Sequence, residues 1–194
     1  MIDTHQTAPT QFVEANGIRF AYRRFGKTGG VPIVFNQHYV GTMDYWDPTV
    51  TDGMARDREV ILFNNAGVSS SSGEVPATFE EMGANAIAFI RALGLKRVDV
   101  LGFSIGGMVA QEITLQMEKW GVQQKGSYDY LKAIKQPTLV VNGSNDVIMP
   151  TVNSFIMQQN IPNAQLIIYP DSNHGAHHQY PELFVEHATL FLNA

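Results

Sequence analysis

Short, nearly continuous apolar runs alternate along the chain with longer stretches in which apolar residues recur at helical spacing. Such runs are typical of strands buried on both faces of a parallel sheet, and four are found: Pro32–Asn36, Glu59–Asn64, Arg97–Leu101 and Pro137–Asn142. A further strand is predicted at Gln165–Tyr169. The helical spacing predicts helices at Thr78–Leu93, Ile105–Met117, Thr151–Asn160 and Tyr180–Leu192. This alternation indicates an α/β domain with a mostly parallel sheet.

Turn and capping residues support these element boundaries. Asn16-Gly17 divides two alternating runs within Gln11–Arg24, and a type I′ turn needs positive φ at both central residues, so an opening hairpin is predicted. Thr78 is placed to cap the first long helix. No linker or repeat interrupts the pattern, so residues 1–194 are predicted to form a single domain.

Composition and charge exclude several classes of protein. Hydrophobic residues make up 44% of the 194 positions and charged residues 16%, which is enough for a packed core. The chain has no cysteine, and therefore no disulfide, thiolate metal site or cysteine nucleophile. Thirteen basic and 18 acidic residues give a net charge of −5 without a basic tract, so neither nucleic acid nor a membrane surface is expected as a partner.

The N-terminal stretch and the apolar runs also bear on localisation. Met1–Thr10 lacks the basic and apolar regions of a signal peptide. No apolar run approaches the ~20 residues that a transmembrane helix requires. A cytoplasmic protein is the resulting expectation.

The sequence Gly102-Phe103-Ser104-Ile105-Gly106 joins a predicted strand to a predicted helix. A nucleophile elbow needs this context, because small residues two before and two after the serine let the backbones approach. The helix N-terminus would then face negative charge that develops at Ser104. The alternative is a glycine-containing turn in which the serine only caps the helix.

An acid and a histidine follow the last two predicted strands. Asp146 comes after Pro137–Asn142, and His174 comes after Gln165–Tyr169. Because the carboxyl ends of parallel strands lie at one edge of a sheet, both residues are expected at that edge with Ser104. Taken singly, Asp146 could be a turn residue and His174 an ordinary loop histidine; the order serine, acid, histidine favours a catalytic triad.

With these motifs the chain resembles α/β-hydrolase fold proteins, of the cofactor-free group that includes serine esterases, enol-lactonases and non-haem haloperoxidases (perhydrolases). The resemblance covers nearly the whole chain, including the Trp46-Asp47-Pro48 segment and the loop Asn64–Ser72. It implies an α/β-hydrolase fold with an N-terminal hairpin and helices on both faces of the sheet. It also implies that no cofactor is needed.

The resemblance assigns roles to five residues. Ser104 would be the nucleophile, His174 the general base and Asp146 the acid that orients it. The backbone N–H groups of Ile105 and Tyr39 would form the oxyanion hole.

Three departures from the family pattern stand out. Gln37-His38 replaces the usual His-Gly before Tyr39, and the loop that begins at Asn64-Asn65 lacks the usual Asp and Gly-x-Gly-x-Ser run. Only Glu118–Gln136 fills the interval that usually holds a further core strand and a helical cap. Both the strand and the cap are therefore expected to be absent, with the cap region reduced to about 118–136.

Other candidate features favour structural roles. His174 and His178 have the i, i+4 spacing that can bind zinc, and His177 lies between them, but no carboxylate completes a catalytic motif. No metal site is predicted. Trp46 could line a pocket or anchor a loop, and the anchor is preferred.

The sequence therefore predicts a serine hydrolase that cleaves carboxylic esters or lactones of small molecules through an acyl-enzyme. Perhydrolase activity with the same triad is a close variant, and a catalytically impaired or non-catalytic truncated scaffold is the alternative.

The missing strand leaves two arrangements for the sheet. Either Pro137–Asn142 pairs directly with Arg97–Leu101, or an apolar edge recruits another chain. A homodimer or higher homo-oligomer is the expected state.

Overall fold

A computed structural model describes residues 3–38, 40–117 and 128–194. The chain divides into two compact units, Met1–Ile113 and Thr114–Ala194. The single-domain expectation for residues 1–194 stays a prediction. Among the described residues no helix has both the length and the apolar character to span a membrane.

The first unit is built on a five-stranded sheet in the order β1-β2-β4-β3-β5. Its strands are β1 (Gln11–Ala15), β2 (Ile18–Gly26), β3 (Ile33–Asn36), β4 (Glu59–Phe63) and β5 (Asp99–Gly102). The helices α1 (Pro48–Ala55), α2 (Phe79–Ala92) and α3 (Ile105–Met117) follow β3, β4 and β5, respectively, and a short 3₁₀ helix spans Met43–Tyr45. Strands β3, β4 and β5 pair in parallel, as the buried apolar runs predict.

The opening hairpin is confirmed. Strands β1 and β2 pair antiparallel, and the turn residues Asn16 and Gly17 have φ of 51° and 77°. The capping prediction for Thr78 also holds, since its hydroxyl accepts a hydrogen bond from the N–H of Glu81 at 3.1 Å.

The core of the first unit forms where the central strands meet the helices. All four residues of β3 are buried, and the ring of Phe63 in β4 stacks on Phe89 of α2 with centroids 4.5 Å apart. Trp46 is 2% exposed and meets Phe35 edge-on at 4.9 Å, so its role as an anchor is confirmed.

Helix α1 is the element of this unit that the apolar pattern missed. Its start is nevertheless encoded locally, because the Asp47 side chain accepts a hydrogen bond from the N–H of Thr49 at 2.8 Å. Pro48 occupies the first turn, where its missing N–H is not needed.

The second unit contains a two-stranded parallel sheet of β6 (Thr138–Gly143) and β7 (Ala164–Tyr169). Its helices are α4 (Thr151–Asn160), α5 (Ala176–Gln179) and α6 (Pro181–Leu192), with a 3₁₀ helix at Asp129–Ala133. A small apolar cluster supports this unit and consists of Leu115, Leu131, Ile134 and Ile161.

The interval between α3 and β6 is short, as the sequence predicts. Its described part, residues 128–137, forms the 3₁₀ helix and no strand. Residues 118–127 of the predicted reduced cap lie outside the described residues. Direct pairing of Pro137–Asn142 with Arg97–Leu101 does not occur among the described strands, because β5 pairs with β3 and β6 pairs with β7.

The position of β5 at the end of its sheet generates a prediction about assembly. All four residues of β5 are only half-buried, and a terminal strand offers unpaired backbone groups to another chain. We therefore expect a homodimer or higher oligomer when the protein is measured by light scattering coupled to size-exclusion chromatography at low micromolar concentration. A single monomeric peak would contradict this expectation.

Candidate active site

Ser104 occupies a sharp turn between β5 and α3. It is one of the few non-glycine residues with positive φ, at 57°, a conformation that costs on the order of 1–3 kcal/mol. The turn is tight, because Gly106 N–H donates to the carbonyl of Phe103 and Gly107 N–H donates to that of Ser104, both at 2.9 Å. Phe103 N–H is in turn bound to the carbonyl of Asn36 at 3.1 Å. The strand-to-helix turn is as the motif predicts, and the nucleophilic role of Ser104 stays a prediction.

The two glycines around Ser104 are required by close backbone approach. A Cβ at Gly106 would overlap the carbonyl oxygen of Asn36 at the end of β3. A Cβ at Gly102 would overlap the carbonyl of Gly106 one turn ahead. The spacing of the motif therefore follows from the crossing of three backbone segments, which holds the strained serine in place.

The Gln37-His38 departure is accommodated by side-chain hydrogen bonds. Gln37 is 2% exposed; its amide donates to the carbonyl of Thr42 at 2.9 Å, and its Oε1 accepts from His38 N–H at 2.8 Å. Gln37 thus holds the loop that follows β3. Tyr39, the predicted second oxyanion donor, lies outside the described residues.

Ile105, the other predicted oxyanion donor, is the first residue of α3. The first N–H groups of a helix have no acceptor within the helix, and the helix dipole places partial positive charge there. The backbone at Ile105 is therefore suited to bind an anionic oxygen.

The Asn64 departure also has a structural role. Its Oδ1 accepts from the N–H of Met43 at 2.8 Å, and its Nδ2 donates to Ser70 Oγ at 3.2 Å. An amide can make both bonds at once, whereas a carboxylate could only accept.

The acid and the histidine meet in the second unit. His174 Nδ1 lies 2.9 Å from Asp146 Oδ2. The other carboxylate oxygen, Oδ1, accepts hydrogen bonds from the N–H groups of Ile148 and Met149, each at 2.9 Å. The Asp146 side chain is 2% exposed and that of His174 is 24% exposed, so the acid is buried and the histidine reaches solvent.

These contacts keep Asp146 ionised. Burial alone raises the pKa of Asp146, but the hydrogen bonds from His174, Met149 and Ile148 outweigh burial, and the pKa lies below its usual value of 3.8. An ionised carboxylate can only accept, so Nδ1 of His174 must carry the proton. In the neutral form of the imidazole, the nitrogen without a proton is then Nε2.

The histidine loop is fixed from α5. Gln179 Oε1 accepts from Ser172 Oγ at 3.0 Å and from Asn173 N–H at 2.7 Å. Gly143, at the end of β6, comes so close to the carbonyls of Ser172 and Asn173 that a Cβ would not fit. The acid loop and the histidine loop are thereby held against each other.

The neighbouring histidines have different surroundings. His177 is 8% exposed and its ring lies 5.8 Å from that of Phe184, whereas His178 is exposed. In the described parts of the chain no group of three His, Asp or Glu residues is arranged to hold a metal.

The structure brings together Asp146 and His174 of the predicted site, and it places Ser104 and Ile105 at the turn between β5 and α3. Sequence reasoning missed the backbone donors of Ile148 and Met149. Backbone groups leave no residue pattern of their own, and the available signal was the turn tendency of the Asn145-Asp146 segment before a proline.

Comparisons with known proteins identify the fold family of the chain. A family model described as alpha/beta hydrolase fold matches residues 31–119, and one described as TAP-like protein matches residues 105–193. Among solved structures, an alpha/beta hydrolase fold protein from Chitinophaga pinensis is 30% identical, with a TM-score of 0.89 over 99% of this chain and 100% of that chain. A hydrolase from Thermoplasma acidophilum is 23% identical, with a TM-score of 0.83 over 99% of each chain, and shares the fold.

One curated relative with a named activity matches this chain over a shorter segment. The pimeloyl-acyl-carrier-protein methyl ester esterase of Nitrosomonas europaea is 40% identical over 55 residues, which are 28% of this chain and 22% of that esterase. The match therefore spans about a fifth of the length of that relative.

The crowded turn predicts different effects for two adjacent glycines. Gly106→Ala forces a Cβ against the Asn36 carbonyl and is expected to lower the free energy of unfolding by about 2 kcal/mol, as overpacking does. Gly107→Ala is the matched control, because its Cβ would meet only the Gly102 carbonyl at 3.6 Å. Alanine there is expected to be neutral or stabilising by up to about 1 kcal/mol. Urea unfolding measures both, and equal effects would contradict the proposed crowding.

The lowered pKa of Asp146 predicts how acid destabilises the protein. Because the folded-state pKa is depressed, ionised Asp146 contributes stability above its ordinary value of 3.8, and this contribution is lost as the pH falls through the lower folded-state pKa. Asp146→Asn should therefore show a shallower loss of unfolding free energy over this range than the wild type. Urea unfolding at a series of pH values tests this, with Asp171→Asn, an exposed position of the histidine loop, as control. Parallel curves for wild type and Asp146→Asn would refute it.

Proposed function

Because this chain belongs to the α/β-hydrolase fold superfamily, we propose that it hydrolyses carboxylic esters or lactones of small molecules. Ser104, His174 and Asp146 are the proposed catalytic triad. The observation that carries the proposal is the 2.9 Å hydrogen bond between His174 Nδ1 and the buried carboxylate of Asp146. In the neutral form of His174 this bond leaves Nε2 as the nitrogen that can accept a proton from a serine nucleophile.

In the proposed first step, His174 Nε2 takes the proton from Ser104 Oγ as the oxygen attacks the ester carbonyl carbon. Asp146 holds the tautomer and stabilises the imidazolium that forms. Ser104 has a positive φ of 57° at the turn that leads directly into α3. The imidazolium then protonates the departing alcohol, which leaves an acyl-enzyme.

The oxyanion of the tetrahedral intermediate would be bound by backbone N–H groups. Ile105 at the start of α3 is one donor and Tyr39 is the other. Each such donor is worth roughly 3 kcal/mol to the transition state. Gln37 forms hydrogen bonds with Thr42 and His38, which come after and before Tyr39 in the sequence.

Water completes the cycle by the same route. His174 removes a proton from water, the hydroxide attacks the acyl carbon, and Ser104 leaves with a proton from the imidazolium. Peroxide in place of water would yield a peracid, so perhydrolase activity is a close variant. The methyl ester esterase relative favours ester hydrolysis as the main reaction.

A covalent probe tests the nucleophile. We expect a fluorophosphonate to modify the wild-type protein once, at Ser104, as measured by intact mass and peptide mapping. Ser104→Ala should abolish labelling and lower p-nitrophenyl acetate turnover by at least about a thousandfold. A folded wild-type protein that takes up no probe would instead support the impaired-scaffold alternative.

Two histidine variants test the base. His174→Ala should lower turnover by nearly as much as Ser104→Ala, since members of a triad act as a unit. His178→Ala, an exposed neighbour in α5, is the matched control and should stay within about twofold of wild type. Equal losses from both histidine variants would remove His174 from the proposed role.

A further inference from the structure

We propose that Asn142 is a positioning residue, whose side-chain amide holds the loop that carries Asp146 in the shape that aligns this carboxylate with His174. The inference rests on the proposed function, because Asp146 and His174 are the acid–base pair of that reaction. Asn142 does not touch either residue through its side chain and acts through Met149.

The amide of Asn142 is fully used. Asn142 belongs to β6 and is 8% exposed. Its Oδ1 accepts from Gly143 N–H at 2.8 Å, and its Nδ2 donates to the carbonyl of Met149 at 2.9 Å and to Ser154 Oγ at 3.0 Å. One side chain therefore ties the beginning of the acid loop to its end and to α4.

Met149 links this amide to the acid. Its carbonyl accepts from Asn142, while its N–H donates to Asp146 Oδ1 at 2.9 Å. Because both groups belong to one residue, fixing the carbonyl also restricts the direction of the N–H. With Oδ1 of Asp146 occupied in this way, Oδ2 is directed to His174 Nδ1.

The pKa of Asp146 depends on the same hydrogen bonds. Burial raises the pKa of Asp146, whereas the hydrogen bonds from His174, Met149 and Ile148 and the electrostatic interaction with His174 lower it. A loop that drifts from Asp146 would remove the contributions of Met149 and Ile148. The carboxylate would then be freer to rotate and would hold His174 less firmly.

The test exchanges one atom of the amide. Asn142→Asp keeps the shape and the acceptor for Gly143 N–H, but it sets a carboxylate oxygen against the Met149 carbonyl, where a donor is needed. Ser154→Ala is the matched control, because it removes the other acceptor of the same Nδ2 and leaves the bond to Met149. The readouts are the low-field proton resonance of His174 Nδ1–H in histidine-labelled protein, assigned by its loss in His174→Ala, and ester kinetics.

We expect Asn142→Asp to lose or strongly weaken the His174 Nδ1–H resonance and to lower kcat at least tenfold, with KM within threefold of wild type. Ser154→Ala should retain the resonance and a kcat within twofold. A folded Asn142→Asp protein with the wild-type resonance would overturn the proposal. If Asn142→Asp does not fold, Asn142→Ala is measured in the same way. Failure of both to fold would also overturn it, since Asn142 would then hold the whole unit together and not the acid loop.

The two readouts separate this inference from the proposed function. If the wild-type protein hydrolyses no ester but Asn142→Asp still loses the His174 Nδ1–H resonance, the positioning role is supported and the reaction is rejected. An active wild-type protein whose resonance is unaffected in Asn142→Asp would support the reaction and reject the positioning role.

Discussion

The crossing of backbones at the end of β3 is the constraint on which the turn at Ser104 and the start of α3 depend. The carbonyl of Asn36 accepts a hydrogen bond from Phe103 N–H and leaves no room for a Cβ at Gly106. The chain can make this approach only by turning at Ser104 with positive φ. The packing around Ser104 therefore maintains its strained backbone conformation, and α3 begins directly after the serine.

The acid–base pair in the second unit is fixed by a different kind of interaction. Hydrogen bonds hold its two loops, because backbone donors bind one oxygen of Asp146 and Gln179 of α5 binds the histidine loop. Gly143 also lets the two loops approach closely. Two of the departures from the family pattern, Gln37 and Asn64, also support loops, each through its side-chain amide.

Much of the fold could be predicted because apolar residues that become buried recur at regular spacing within each helix and strand. Helix α4 begins and ends where the apolar spacing predicts, and α3 begins where it predicts. The hairpin follows from the need for positive φ at Asn16-Gly17. Helix α1 was missed because its apolar pattern is weak, although Asp47-Pro48 signals its start. At the site, side-chain chemistry and order identified Asp146 and His174, which do meet. The bonds from Met149 and Asn142 could not be predicted, since they depend on how the loop between β6 and α4 closes in three dimensions.

The proposed reaction requires Ser104, His174 and Asp146 to act as one catalytic triad. The most direct measurement is a crystal structure of the protein after reaction with a fluorophosphonate. The account predicts phosphorus bonded to Ser104 Oγ, a phosphonyl oxygen bound by the N–H of Ile105, and His174 Nε2 within about 3.2 Å of Oγ. An adduct at another residue, or a Ser104 adduct with the His174 imidazole beyond hydrogen-bond reach, would contradict it.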